Sequence, residues 1–149
     1  MIDGLVSIIT PNYNSENYIK ETISSVQNQT YQNWEMIITD DGSNDNSISI
    51  IKEIIKEDNR VKLFEINNSG PAIARNNSIE NSKGQFLAFL DSDDLWFPEF
   101  ISTSMLRIKN SEGFVFSSYK RCNEVTLIRK KENARSNVQA RYGLMAKIS

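Results

Sequence analysis

The feature that most limits the fold is a recurrence within the first hundred residues. Four short apolar runs, Leu5 to Thr10, Trp34 to Thr39, Val61 to Ile66 and Gln85 to Leu90, each run into a cluster rich in Asp, Asn, Ser, Gly or Pro. Runs of that length read as buried strands. Between them Ile19, Ile23 and Val26, and then Ile48, Ile51 and Ile55, fall at helical spacing. Ser15 is placed to cap a helix from about 16 to 27, and Asn44 or Asp45 a second one to about 57. Pro71 suits the first turn of a third helix to about 81, which Gly84 closes. The order β-α-β-α-β-α-β implies an α/β domain with an open, mainly parallel sheet and helices on both faces. Right-handed crossovers then bring the loops 11–15, 40–45, 67–71 and 91–94 to the carboxyl edge of the sheet, where ligands bind in such folds. Beyond Pro98 the pattern predicts a helix to about Lys109, a strand over 113–118, a weaker strand over 125–128, and a helix over 134–149 with Val138, Tyr142 and Met145 on one side.

Composition narrows the chemistry. A chain of 149 residues, 39% of them hydrophobic, fits one soluble domain. Its apolar runs are too short to span a bilayer, and residues 1–4 show no secretory leader. The absence of histidine removes His-based triads and His-ligated zinc, and the single Cys122 removes an internal disulfide. No G-x-G-x-x-G, P-loop or C-x-x-C pattern is present. The net charge of −2 divides unevenly: residues 1–100 carry −9 and residues 101–149 carry +7. The acidic part makes nucleic acid a poor partner. The basic part is either a solvated tail or a contact for an anionic membrane surface.

Three carboxylates within Asp91-Ser92-Asp93-Asp94 repel one another unless a positive group sits among them. A hard divalent cation, Mg2+ or Mn2+, relieves that repulsion and bridges to a diphosphate. Helix capping by Asp93 or Asp94 is the alternative. In Asp40-Asp41-Gly42-Ser43 the glycine permits a tight turn, and Asp40, at the strand end, is expected to point into the cleft and accept a nucleobase N–H. Tyr13 either stacks on a base or covers the edge of the core. Arg75, early in a helix, either reaches a base or phosphate or lies on the surface. Trp96 and Phe97 read as hydrophobic anchors more than as a sugar platform.

Together the segments Val6–Asn14, Trp34–Asp45, Asn68–Asn76 and Phe89–Trp96 resemble the family 2 glycosyltransferases of bacterial polysaccharide assembly. The resemblance covers roughly residues 5–120. It implies a GT-A (Rossmann-like) fold, a nucleotide-diphosphate sugar donor with a UDP-sugar foremost, a saccharide or lipid-linked acceptor, Mg2+ or Mn2+, and inversion at the anomeric carbon. By motif, Pro11 and Tyr13 would line the nucleoside pocket, Asp40 would hold the base, and Arg75 would contact base or diphosphate. Asp91 would lie near ribose and metal, and Asp93 would be the metal ligand of a DXD-type motif. The family's catalytic base falls after that motif, where this chain has only Glu112, Glu124 and Glu132, none in a matching context.

The expectation is therefore a donor-binding half domain over 1–120, incomplete at its C-terminus, followed by a basic, weakly structured segment over 121–149. Such a transferase would be cytoplasmic, with peripheral contact at the cytoplasmic membrane face. The alternative is a chain that binds donor and metal without turnover.

Overall fold

The computed structural model describes residues 1–108, 114–116 and 144–147. The elements run in the order β1 (Ile2–Asn12), α1 (Ile19–Gln27), β2 (Trp34–Asp40), α2 (Ser47–Glu57), β3 (Val61–Glu65), α3 (Pro71–Glu80), β4 (Gly84–Phe89), α4 (Phe100–Ile108), β5 (Phe114–Phe116) and β6 (Leu144–Lys147). They build one sheet in the order β3-β2-β1-β4-β6-β5. The four strands β1 to β4 are parallel, and β6 pairs antiparallel with both β4 and β5. The expected open, mainly parallel sheet is thus observed.

Strand periodicity divides the core between the two faces. Val6 and Ile8 of β1, Trp34, Met36 and Ile38 of β2, and Phe86 and Ala88 of β4 pack with Ile19, Ile23 and Val26 of α1, Ile51 of α2, and Ile101, Met105 and Ile108 of α4. The other face meets α3 through small and polar side chains. Ala74 and Ser78 are fully buried there, and Thr39 Oγ1 lies 2.7 Å from Ser78 Oγ and donates to Asn77 Oδ1 at 3.1 Å. Small residues let this helix lie close to β1 and β2.

Several local expectations change. Ser15 does not cap α1: its hydroxyl donates to Asn12 Oδ1, its carbonyl receives the N–H of Ile19 at 2.9 Å, and the helix begins only at Ile19. Asp45 does serve the start of α2. Its carboxylate takes the N–H of Ser47 and the N–H of Glu16, both at 2.9 Å. Burial would raise that carboxyl, but these bonds and the Ser47 hydroxyl hold it below the usual carboxylate range.

Gly84 is not a helix terminator. It opens β4, where a Cβ would stand 2.6 Å from the Leu5 carbonyl oxygen. The segment around Met145 is a strand and not a helix. Met145 is buried opposite Ala88, because the open edge of β4 supplies a hydrogen-bonding partner that outweighs local preference. The strand expected over 113–118 is observed over its centre, Phe114–Phe116. The weaker strand expected over 125–128, with Val138 and Tyr142, lies outside the described residues.

Register aligns the carboxyl ends of the strands. Asn12 pairs with Asp40, Asp40 with Glu65, and Ile9 with Phe89. From β1 the chain moves outward to β2 and β3, and then crosses back to β4 on the other side of β1. The topological switch point therefore lies between β1 and β4. Among the described residues no helix is long and apolar enough to cross a membrane.

Candidate functional site

A cavity of about 730 Å3 opens over that switch point, a volume typical of small-molecule sites. Pro11 to Ser15 line it from the end of β1, Asp91 to Asp93 from the loop after β4, and Asp41 from the loop after β2. Asn68, Gly70, Pro71, Ala74 and Arg75 complete it from the start of α3. Of the residues singled out in the sequence, Pro11, Tyr13, Arg75, Asp91 and Asp93 thus border one space.

Asp40 does not line it. Its side chain follows Trp34, Met36 and Ile38 onto the face covered by α1 and α2, and it is fully buried. The carboxylate accepts from Asn12 Nδ2 at 2.6 Å, from the Ser43 N–H at 2.8 Å and from Ser43 Oγ at 2.6 Å. The expected inward-pointing carboxylate is Asp41, one residue on. Asp41 Oδ1 and Oδ2 accept the N–H groups of Ser69 and Gly70 at 2.7 and 2.9 Å. The loop before α3 is thereby tied to the loop after β2. Gly42 turns between them with φ +77, and a Cβ there would meet the Asn68 nitrogen at 3.1 Å. Gly70, at φ +96, makes the bend that only glycine enters readily.

With the start of α3 fixed in this way, Arg75 reaches across to Asp91. Its Nη2 donates to Asp91 Oδ1 at 3.0 Å, with side chains 36% and 58% exposed. Solvent screens such a pair, so it stabilises the fold little and is open to exchange for a ligand. The loop after β4 is itself well fixed. Thr22 Oγ1 donates to the Ser92 carbonyl at 2.8 Å, and the Trp96 N–H donates to Ser25 Oγ at 3.2 Å. Trp96 is buried and stacks on Phe100 with ring centroids 4.3 Å apart, so it anchors the loop as expected. Phe97 lies outside the cavity lining.

A divalent cation fits the donor set in part. Among the described residues no three His, Cys, Asp or Glu converge on a point. Asp91 and Asp93 nevertheless line the cavity, and both are exposed. Two hard carboxylate donors suit Mg2+ or Mn2+ when a substrate's phosphates complete the coordination, which is these ions' usual mode.

The lining also includes Tyr18, Asn68 and Ser92, which were not anticipated from sequence. Counting by two from Trp34 would have turned Asp40 inward and left Asp41 for the cavity. Tyr18 had no such signal, because the late start of α1 depends on Ser15 bonding to Asn12.

The family model described as Glycosyl transferase family 2 matches residues 7–147. The putative teichuronic acid biosynthesis glycosyltransferase TuaG of Bacillus subtilis is 41% identical over 117 residues, covering 77% of this chain and 46% of that protein. The Escherichia coli UDP-Glc:alpha-D-GlcNAc-diphosphoundecaprenol beta-1,3-glucosyltransferase WfgD is 40% identical over 132 residues, covering 87% and 51%. This chain therefore spans about half the length of those relatives. The crystal structure of residues 1–349 of TarS from S. aureus in complex with UDP-GlcNAc superposes with a TM-score of 0.65 at 30% identity, over 70% of this chain and 31% of that one. The sheet and its helices are thus a GT-A fold.

Proposed function

The chain belongs to glycosyl transferase family 2, and from that premise we propose that its carboxyl-edge cavity binds a nucleoside-diphosphate sugar for transfer to a saccharide or lipid-linked acceptor in bacterial polysaccharide synthesis. One observation carries this: four loops, separate in sequence, bring Tyr13, Asp41, Arg75, Asp91 and Asp93 to a single cavity at the switch point of the sheet. TarS, which resembles this chain in fold and sequence, has been solved with UDP-GlcNAc, and WfgD is named for a UDP-Glc donor and a diphosphoundecaprenol acceptor. Both favour a UDP-sugar here.

In this proposal Pro11 and the half-exposed ring of Tyr13 pack on the base. Asp41 keeps lone-pair capacity beyond its two backbone bonds and accepts a base N–H. Asp40, first expected in that role, braces the loop. Arg75 presents its planar fork to the diphosphate and neutralises its charge. Asp91 and Asp93 would hold Mg2+ or Mn2+. Lewis acidity toward the departing diphosphate is what such a cation supplies when bound. Inversion requires an acceptor hydroxyl to attack the anomeric carbon from the face opposite the leaving group, with a base taking its proton.

The cavity's carboxylates among the described residues are Asp41, Asp91 and Asp93; in this proposal the base takes the first and the cation the other two. Glu112, Glu124 and Glu132 lie outside the described residues. With every described cavity carboxylate given a donor or cation role in this proposal, the second reading is donor binding without transfer. The test is transfer of labelled sugar from UDP-glucose or UDP-GlcNAc to a diphosphoundecaprenol-linked saccharide, with and without Mn2+. Mn2+-dependent product that is lost in Asp93→Ala supports transfer. Donor binding without product supports the second reading, and absence of donor binding contradicts both. The basic residues of 101–149 would add a contact with anionic lipid, measured as release from membranes by a high-salt wash.

A further inference from the structure

We propose that Asp40 is a positioning residue, which sets Tyr13 for the nucleobase without itself touching the nucleotide. This inference rests on the nucleotide reading of the cavity. Tyr13 stands half exposed at the cavity wall, between two asparagines that are both braced from below. On one side Asn12, fully buried, donates from Nδ2 to Asp40 Oδ2 at 2.6 Å. On the other side the Asn14 N–H donates to Ser43 Oγ at 2.9 Å, and Ser43 Oγ donates to Asp40 Oδ2 at 2.6 Å.

Asn14 sits at φ +48, in the left-handed region that Asn enters more readily than other residues with a side chain, and the bond to Ser43 holds it there. The N–H of Asn44 adds to that hold by donating to Asn14 Oδ1 at 2.8 Å. Both braces on Tyr13 therefore end on one carboxylate. Three donors, Asn12 Nδ2, the Ser43 N–H and the Ser43 hydroxyl, converge on Asp40 and call for a pure acceptor, which an ionised Asp is and an Asn is not. In Asp40→Asn, an amide NH2 would face at least one of them donor to donor. Exchanging the pair, Asn12→Asp with Asp40→Asn, restores a donor opposite an acceptor across the same contact. It also leaves the net charge unchanged.

The experiment is calorimetric titration of the protein with UDP, and with GDP, in Mn2+. Asp40→Asn is expected to weaken nucleotide binding at least tenfold, and the exchanged pair to recover to within about threefold of the starting protein. In a Tyr13→Ala background Asp40→Asn should add almost nothing, because the lost ring is what Asp40 positions. Failure of the exchanged pair to recover, in a variant that melts cooperatively, overturns the proposal, as does full additivity with Tyr13→Ala. Direct contact between Asp40 and the base would produce both of those results. Should the variants at position 40 not fold, Ser43→Ala decides: it leaves the carboxylate in place but breaks the link to Asn14. A tenfold loss supports the proposal and unchanged binding overturns it. Unaltered protein that binds neither UDP nor GDP overturns the nucleotide reading, and this inference with it. Binding by the unaltered protein with no recovery on exchange overturns this inference alone.

Discussion

The loops after β2 and β4 both open with aspartates at the end of a buried strand, yet the structure uses them in opposite ways. Asp40 and Asp41 are buried, and each carboxylate is engaged by donors, Asp40 by Asn12 at the end of β1 and by Ser43 of its own loop, Asp41 by the N–H groups of the loop before α3. Asp91 and Asp93 are exposed on the cavity wall, with Asp91 facing Arg75 across it. A buried carboxylate that collects hydrogen bonds organises the chain around it, and its loss leaves donors stranded. An exposed one is nearly neutral for folding and keeps its charge available to a ligand. At equivalent strand ends Asp40 thus serves the scaffold and Asp91 and Asp93 stay open to a ligand, while Asp41, buried yet lining the cavity, ties two loops together and faces the ligand space.

That contrast fails first if Asp40→Ala is harmless. Asp40→Ala strands Asn12 Nδ2 and the Ser43 N–H, and should destabilise by roughly 3 kcal/mol, read from denaturant unfolding. A change below about 1 kcal/mol would show that the buried network is not structural. Gly84→Ala supplies a purely steric comparison away from the site. Its Cβ would meet the Leu5 carbonyl at 2.6 Å, so a loss of about 2 kcal/mol is expected with nucleotide affinity retained.

Asp91→Ala and Arg75→Ala sharpen the other half. Both should shift stability by no more than about 0.5 kcal/mol, because their pair is exposed. Arg75→Ala should weaken UDP binding by about tenfold, and Asp91→Ala should remove most of the Mn2+ dependence of that binding. A large stability loss in either would place this loop with the scaffold.

A carboxylate between the two extremes gives a pH-dependent comparison. Asp58 is engaged by Arg60, whose guanidinium lies 2.8 Å away and 3.8 Å over the Trp34 ring, and this holds its carboxyl down to about 2 against an ordinary 3.8. A depressed folded value means the stabilisation is complete above about pH 4 and is lost as the pH falls toward 2. Arg60→Ala should cost roughly 1 kcal/mol at pH 7, and that difference should shrink across this window in acid unfolding curves.

The scaffold was legible in sequence because four apolar runs and two Ile-rich periodic stretches admit few arrangements, and the crossover rule then gathers their loops. Which aspartate faces the cavity was less legible. β2 is buried on both faces, and Ile37 between Glu35 and Thr39 blurs the alternation that sends Asp40 with Trp34, Met36 and Ile38. Gly84 read as a helix stop because its actual cause, the backbone of β1, lies some eighty residues away in sequence. β6 was illegible for a related reason. Four residues carry no period, and Met145 becomes a strand residue only through the edge of β4.

In the proposed function one cavity takes both a nucleoside diphosphate and a divalent cation, with the exposed carboxylates providing the cation's protein donors. Calorimetry of UDP binding with and without Mn2+, in the unaltered protein and in Asp93→Ala at matched melting temperature, tests it most directly. Mn2+ should strengthen UDP binding at least tenfold in the unaltered protein and by less than twofold in Asp93→Ala. UDP binding of equal strength with and without Mn2+, or a Mn2+ effect that survives Asp93→Ala unchanged, would contradict it.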